Sequence, residues 1–539
     1  MQRAFLALLA LSPCASISYS SFTVARSFGE HAVLQSAPAS ARVWGWTDPL
    51  GIVEVVLNCS VIRVAAVFNT TADTSGLWVA AFPPVPPSNH PCAIKFTDVG
   101  SSVAAAYADI LFGTVLLCGG QSNMDLPTSY IVNASAELAY ANAFSNYVRF
   151  LHVPCNSFGT AAGSVPLRDF SVVDSWALAS NYTAASFSAE CWLAARDMYK
   201  AGQADKSTDG IPVGAIQADW PGTHIVTHSS AAALAQCGGA PPMPPNTNNA
   251  SYPYWPSALH NAMIAPLTVG PLAVSAFVWH QGEADVHNPD SATAYECRLR
   301  ALAADWRATM GAWPGAYFGI TLLAPYAGDC GAATDYGCAT GVATVRAAQL
   351  RVGLSMPNAS AAVSTDLGDP QAPAGSVHSR RKAEIGARLA AGFAAARWGS
   401  ASVSGPVYGP LYSHATDASG GSSLAADVSF TPSSCAAGLQ LVFGEPWTSE
   451  CPVNASASAP DISECAWFAI QGSSSGWHNA TVTILNGTTV RLTVTGNATG
   501  TPGDYAMDTA IATAFGQGAY PVTVLFSGTL PVAPWNATI

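Results

Sequence analysis

The sequence contains little charge. Only 10% of its 539 residues are Asp, Glu, Lys or Arg, and the formal net charge is −12 at pH 7. A negative chain without a run of Lys or Arg is not typical of proteins that bind nucleic acid or anionic membranes. Because few side chains are ionised, the solubility of the protein must be supplied by something else.

Long hydrophobic runs are absent after the first residues. Residues 1–18 contain one Arg, the apolar segment 5–11 and then small residues, which is typical of a secretory signal peptide. No later apolar run reaches the about 18 residues that a membrane-spanning helix needs. We therefore expect a protein of the secretory pathway, secreted or lysosomal, with no stable membrane anchor.

The chain has no Cys-x-x-Cys pair, which excludes the usual zinc and thioredoxin-like sites. One of its 13 cysteines lies in the predicted signal, and the other twelve are an even number suited to disulfides in an oxidising compartment. Local spacing favours three bridges, namely Cys59 with Cys92, Cys330 with Cys338, and one within the group Cys435, Cys451 and Cys465.

Eleven Asn-x-Ser/Thr sequons predict a glycoprotein, whose glycans would supply the missing solubility. They lie at Asn58, Asn69, Asn133, Asn181, Asn249, Asn358, Asn454, Asn479, Asn486, Asn497 and Asn536.

At 539 residues the chain is too long for one compact core. After the signal, short apolar runs at 43–46, 52–57, 61–68 and 77–82 predict a β-domain over residues 19–108. Alternating strand and helix patterns predict an α/β domain over 109–400, with a parallel sheet covered by helices on both faces. The pattern of residues 401–539 predicts a second β-rich domain, in which Asn486-Gly487 is a strong hairpin signal.

The elements predicted for the α/β domain come from apolar periodicity. The strands are 114–117, 213–218, 274–279 and 317–323, and the helices are 135–144, 189–201, 295–310 and 380–398.

Residues 118–124, Cys-Gly-Gly-Gln-Ser-Asn-Met, follow the first of these strands. A strand that breaks into two glycines presents Ser122 at its carboxyl end, where reacting groups lie in an open α/β sheet. Ser122 is therefore a candidate nucleophile, although the stretch alone also fits a plain Gly-Ser turn.

Residues 279–285, Trp-His-Gln-Gly-Glu-Ala-Asp, end another predicted strand. The side-chain amide of Gln281 can donate to a developing oxyanion without bringing a charge. Glu283 and Asp285 fit bases, metal ligands or solvated loop charges, and the solvated interpretation is favoured because acidic residues are mostly exposed.

His378 stands between a loop and the last predicted helix, from which it can reach across the strand ends to Ser122. A serine early and a histidine late in one α/β domain favour catalysis over a structural role for this histidine. Gly222, just after the strand 213–218, is a candidate backbone donor to an oxyanion, although a simple turn explains it as well.

Together these blocks resemble the sialate O-acetylesterase family within the Ser-Gly-Asn-His (SGNH) hydrolases. Residues 120–124 resemble the nucleophile block of that family, 279–283 its Trp-x-Gln-Gly-Glu block, and 29–35 with 43–46 its N-terminal signature. The resemblance implies an SGNH-hydrolase-like α/β fold with flanking β-rich domains and a carboxyl-ester hydrolase that needs no cofactor or metal. The implied substrate is an O-acetylated sugar or glycoconjugate, above all sialic acid.

Two other functions remain open at this point. An acetyl esterase for other carbohydrates, such as acetylated polysaccharide, would use the same catalytic groups. A non-enzymatic carbohydrate-binding protein on the same scaffold is the second alternative, and the presence of both Ser122 and His378 argues against it.

The resemblance also implies roles for the site residues. His378 takes the proton of Ser122, and the Ser122 and Gly222 N–H groups with Gln281 stabilise the oxyanion. The family often has Gly where this chain has Pro221, which lacks an N–H, so the donor role falls on Gly222.

At the third member of the triad the sequence departs from the pattern of the family. Many SGNH hydrolases place an Asp three residues before the histidine, where this chain has Gly375. Asp366 and Asp369 are the candidates, and Asp369 is preferred because it is nearer to His378 in sequence. A Ser–His dyad without an acid is also open.

Overall fold

The computed structural model of the protein describes residues 22–398, with gaps at 155–164, 172, 204–209, 240–254, 311–314, 325–340 and 370. It also describes the segments 412–418, 424–435, 437–443, 469–472, 476–494, 523–527 and 530–531. The predicted signal peptide and the predicted bridge between Cys330 and Cys338 lie outside these residues.

The N-terminal part of the chain consists of eight strands. They are β1 (Thr23–Val24), β2 (Val33–Gln35), β3 (Arg42–Trp46), β4 (Ile52–Cys59), β5 (Val64–Thr71), β6 (Leu77–Ala81), β7 (Ser88–Asp98) and β8 (Ala104–Gly120). Strands β1, β3 and β6 form one small sheet. Strands β5, β4, β7 and β8 lie side by side in that order, and each neighbouring pair is antiparallel. The four strands predicted in this region are confirmed.

Strand β8 joins the N-terminal strands β4, β5 and β7 to the central sheet. Its first six residues alternate between exposed and half-buried positions, whereas every residue from Ile110 to Gly120 is buried. The first half pairs with β7, and the second half lies between β11 (Val213–Asp219) and β12 (Ala276–His280) in the central sheet. The predicted domain boundary at 108/109 falls inside this continuous strand.

The central sheet has the order β10-β9-β11-β8-β12-β13-β14. Its remaining strands are β9 (Val148–His152), β10 (Ala177–Leu178), β13 (Tyr317–Thr321) and β14 (Ala359–Ala362). All neighbours are parallel except β10, which pairs antiparallel with β9 at the edge. The predicted parallel α/β sheet is confirmed, and its carboxyl edge collects the ends of six parallel strands.

Helices cover both faces of this sheet. They are α1 (Ser122–Asp125), α2 (Ala134–Ala141), α3 (Asn181–Ser186), α4 (Ala189–Gln203), α5 (Ile225–His228), α6 (Ala231–Ala235), α7 (Ala265–Thr268), α8 (Pro289–Thr309), α9 (Val342–Ser355) and α10 (Lys382–Trp398). Phe277 and Trp279 of β12 pack into the core on the side of α8 and α9, whereas Ala276 and Val278 pack on the side of α4 and α10. Side chains that alternate along one strand thus contribute to two separate hydrophobic cores.

Three disulfides link elements within the described chain. The predicted bridge between Cys59 and Cys92 is confirmed. The other two bridges are Cys118–Cys191 and Cys237–Cys297. Cys118–Cys191 connects β8 to α4 close to the predicted site. Among the described residues no helix is long and apolar enough to cross a membrane.

The C-terminal segments are β-rich, as predicted. Their strands are β15 (Tyr412–Asp417), β16 (Leu424–Phe430), β17 (Gln440–Phe443), β18 (Ala469–Gly472), β19 (Gly476–Asn479), β20 (Thr481–Asn486), β21 (Thr489–Val494), β22 (Thr523–Ser527) and β23 (Leu530–Pro531). The hairpin predicted at Asn486-Gly487 is confirmed, since β20 pairs antiparallel with β21 across that turn.

Candidate active site

The turn that presents Ser122 depends on a close approach of two backbones. Gly120 ends β8 with φ +149°, and a Cβ added there would lie 2.0 Å from the carbonyl oxygen of His280 on β12. The same carbonyl accepts a hydrogen bond from Gln121 N–H at 3.0 Å. Glycine is therefore required at position 120, and the chain leaves the sheet there so that Ser122 begins α1 at the carboxyl edge.

A direct hydrogen bond brings the predicted serine and histidine segments together. The Nδ2 atom of Asn123, the residue after Ser122, donates to the carbonyl oxygen of Val377 at 2.9 Å. Val377 is the residue before His378. Two segments that lie 254 residues apart in the sequence thus meet at the nucleophile turn.

The tautomer of His378 follows from one contact. Its Nδ1 atom lies 2.7 Å from the carbonyl oxygen of Ala374. A carbonyl oxygen only accepts hydrogen bonds, so in the neutral ring Nδ1 carries the proton and Nε2 carries the lone pair. This is the tautomer that a general base needs if it takes a proton through Nε2.

The two candidate acids are both bound to arginines. The carboxylate of Asp369 is fully buried and accepts hydrogen bonds from Arg380 Nε at 2.5 Å and Arg380 Nη2 at 2.9 Å. The carboxylate of Asp366 pairs with Arg388, with both oxygens at 2.7 Å from the guanidinium. Both ion pairs hold the loop that carries His378, and the role of Asp369 as the catalytic acid stays a prediction.

The predicted backbone donors lie on two turns at the edge of the sheet. Gly222 has φ +69° and is exposed, while Ser122 is the first residue of α1 and so has no acceptor within that helix. Within the described part of the chain, neither N–H donates to another residue. These two N–H groups are therefore free to bind an oxyanion.

The side chain of Gln281 is buried and fully engaged. Its Nε2 lies 3.0 Å from Gln121 Oε1, 2.9 Å from the Thr223 carbonyl and 2.6 Å from Asp285 Oδ2, and its Oε1 accepts from Tyr295. An amide nitrogen has two hydrogens, so both are directed at these oxygens. In this arrangement Gln281 links the Gln121 turn to the loop of Gly222, and its predicted role as an oxyanion donor stays untested.

The interpretation of Glu283 and Asp285 as solvated charges is wrong. Their exposed fractions are 6% and 0%. Glu283 accepts a hydrogen bond from Asn123, and Asp285 accepts one from Ile225 N–H at 3.0 Å. Burial alone would raise the pKa of Asp285, but interactions led by His224 outweigh it and lower that pKa.

A pair of acids that the sequence did not single out flanks the nucleophile turn. Asp125 ends α1, and Asp219 ends β11 opposite Gly120. The two carboxyl groups influence each other's protonation. Burial and then the charge of Asp125 raise the pKa of Asp219 well above its ordinary value of 3.8. An Asp at the carboxyl end of the predicted strand 213–218 was the available signal.

Replacement of Asp219 by Asn should make the stability of the protein less sensitive to rising pH. The pKa of Asp219 in the folded protein exceeds the unfolded value of 3.8. Its contribution to the free energy of unfolding is therefore present below pH 3.8 and is lost as the pH rises through the folded pKa. Asn keeps a donor for Asp125 and does not titrate. Melting curves between pH 4 and pH 9 should show that the stability of Asp219→Asn relative to the wild type increases with pH, by on the order of 1 kcal/mol in the free energy of unfolding. Parallel curves would contradict the raised pKa of Asp219, and Asp174→Asn serves as the control at a more exposed carboxylate.

Comparisons with known proteins agree with the resemblance found in the sequence. Residues 180–395 match the family model described as carbohydrate esterase, sialic acid-specific acetylesterase. The chain is 29% identical to mouse sialate O-acetylesterase over 435 residues, which cover 72% of this chain and 76% of the mouse protein. It is also 29% identical to the human sialate O-acetylesterase over 397 residues, 68% of this chain and 69% of that protein.

A solved structure has the same fold. The crystal structure of a novel carbohydrate acetylesterase from Xanthomonas citri matches with a TM-score of 0.71 at 24% identity, covering 95% of this chain and 98% of that one. At this identity the similarity supports the fold alone. The family model and the sequence relatives support the chemistry, because residues 180–395 match sialic acid-specific acetylesterases and the relatives are named for a carboxylic ester hydrolase.

Proposed function

We propose that the protein removes O-acetyl groups from sialic acid through an acyl-enzyme formed on Ser122, with His378 as general base and acid. The observation that carries this proposal is the hydrogen bond from Asn123 to the Val377 carbonyl, which joins the two segments that hold Ser122 and His378. The contact of His378 Nδ1 with the Ala374 carbonyl also favours the tautomer whose Nε2 can accept a proton.

The reaction proceeds in two balanced steps. The Oγ of Ser122 attacks the acetyl carbonyl carbon while Nε2 of His378 takes its proton, and the collapse of the tetrahedral intermediate returns that proton to the departing sugar oxygen. A water molecule then attacks the acetyl-enzyme with His378 again as base, which releases acetate and restores Ser122.

The oxyanion of each intermediate binds to the N–H groups of Ser122 and Gly222. Loss of one such donor typically lowers the rate by roughly 10²–10³. Gln281 supports this site by holding the Gln121 side chain and the Thr223 carbonyl, which flank the two donors in sequence.

The substrate class rests on the family model and on relatives named sialate O-acetylesterase. One observation favours acetylated neutral sugar as a second candidate. The arginines nearest to His378 in sequence, Arg380 and Arg381, are paired with Asp369 and Glu384, so neither is a free cation for a sialate carboxylate. A neutral sugar needs no such cation.

Ser122→Ala should abolish acetate release, and His378→Ala should cost nearly as much because the two groups act as a unit. A fluorophosphonate probe should label the wild type and should not label Ser122→Ala. Acetate release is measured on O-acetylated sialic acid and on an acetylated neutral oligosaccharide. Full activity of either variant contradicts the mechanism, and a higher kcat/KM on the neutral sugar favours the second candidate.

Asp369→Asn distinguishes a triad from a dyad. If His378 is oriented by the Ala374 carbonyl, Asp369→Asn removes only the negative charge that pairs with Arg380. The kcat should then fall by roughly tenfold or less. A catalytic acid in that position would instead cost on the order of 10⁴ in kcat. Asp366→Asn, which disturbs the neighbouring Arg388 pair, is the matched control. A loss confined to Asp369→Asn and larger than 10³ would establish Asp369 as the acid.

The compartment is part of the same proposal. We infer that the mature protein is an N-glycosylated member of the secretory pathway. The three disulfides among its described residues fit an oxidising compartment. Six sequon asparagines have described side chains and all six are exposed, namely Asn58, Asn69, Asn133, Asn181, Asn358 and Asn486.

An amidase that removes N-glycans should therefore lower the apparent mass of the protein secreted from a eukaryotic host. Each occupied sequon adds one glycan, so the shift on a denaturing gel should correspond to several glycans. Protein expressed in a bacterial cytoplasm is the control that carries none. An unchanged band from the eukaryotic host would contradict the proposal.

A further inference from the structure

We propose that Asn123, Lys382 and Glu190 are positioning residues for the reaction at Ser122. They form a buried chain of contacts that orients the Asn123 amide, and this amide connects the nucleophile turn to the histidine loop. The inference rests on the proposed function, because it concerns the alignment of Ser122 with His378.

The Asn123 amide is held at both ends. Its Nδ2 donates to the Val377 carbonyl at 2.9 Å and to Glu283 Oε1 at 2.5 Å, and its Oδ1 accepts from Lys382 Nζ at 2.9 Å. The side chain is only 2% exposed. A flipped amide would turn its oxygen toward two acceptors and its nitrogen toward an ammonium group, so the partners allow one orientation.

Lys382 has no access to solvent and lies at the start of α10. Its Nζ is 3.4 Å from Glu190 Oε2, and Glu190, in the first turn of α4, is equally buried. Burial lowers the pKa of Lys382, and the charges of Glu190 and Glu283 oppose that shift. The ammonium group is therefore held in place by carboxylates behind the Asn123 amide.

Glu190 anchors this chain to the sheet. It accepts hydrogen bonds from His280 Nδ1 at 2.6 Å and from the Thr321 hydroxyl at 2.5 Å. Burial alone would raise the pKa of Glu190, but His280 and Lys382 outweigh it and lower the pKa to about 2. The carboxylate is thus charged and bonded to the ends of β12 and β13, and the position of Lys382 follows from the rigid sheet.

These contacts make the network more than a stabilising ion pair. The Asn123 amide bonds to the peptide that precedes His378, and its own backbone follows Ser122. If the amide rotates or is lost, the Val377 carbonyl loses its donor and the histidine loop can shift relative to Ser122. A misplacement of about 1 Å can lower the rate about 10²-fold.

The test is a double-mutant cycle with Asn123→Ala, Lys382→Met and the double variant, assayed with p-nitrophenyl acetate and by the rate of fluorophosphonate labelling. Each single change should lower kcat and the labelling rate roughly 10²-fold with KM within about threefold. The double variant should be no worse than the worse single variant, because Lys382 acts through Asn123. Effects that multiply in the double variant would overturn the inference.

Two further variants keep the outcome unambiguous. Arg149→Met breaks a partly buried ion pair with Asp109 in another part of the sheet, and it should lower the melting temperature without changing kcat. Asn123→Asp has the shape of Asn but lacks the donor to Val377, so it tests the same bond if Lys382→Met fails to fold. Wild-type kcat in Asn123→Ala or Asn123→Asp, with Ser122→Ala inactive, would reject this inference alone. Activity in Ser122→Ala would reject the proposed function instead.

Discussion

The arrangement around Ser122 depends on the neutralisation of one buried carboxylate. Glu190 has no solvent contact, and a charge in that position costs several kcal/mol unless partners compensate it. Its partners His280 and Lys382 come from β12 and α10, so compensation requires three elements to meet at one point. At this point α4 packs against α10, and Lys382 continues the contacts from Glu190 to Asn123 of the nucleophile turn.

A second constraint acts through the backbone. Gly120 and the His280 carbonyl leave no room for a side chain between β8 and β12, so the two strand ends are in contact where the site begins. Gln121 and Gln281 extend that contact to the loop of Gly222 through buried amides. The Ser122 turn and the loop of Gly222 are therefore held together at one edge of the sheet.

The sequence predicted the four central strands β8, β11, β12 and β13, because apolar periodicity is a local property, but it missed β9, β10 and β14 toward the edges of the sheet. It missed α9, in which Arg346 and Gln349 are buried among apolar residues and interrupt the expected stripe. It also treated Glu283 and Asp285 as solvated. That interpretation follows the average behaviour of acids, whereas their burial is made possible by Asn123 and His224, which are remote in sequence.

By itself, the sequence determined which chemical groups stand at the strand ends and in which order, since strand length, glycine breaks and polar residues are read from neighbouring positions. Only the tertiary structure decided their partners. Asp369 pairs with Arg380, His378 contacts the Ala374 carbonyl, and Lys382 reaches Asn123 across 259 residues of chain. Such partners depend on which segments the packed sheet and helices bring within about 3 Å of each other, and no local pattern encodes that distance.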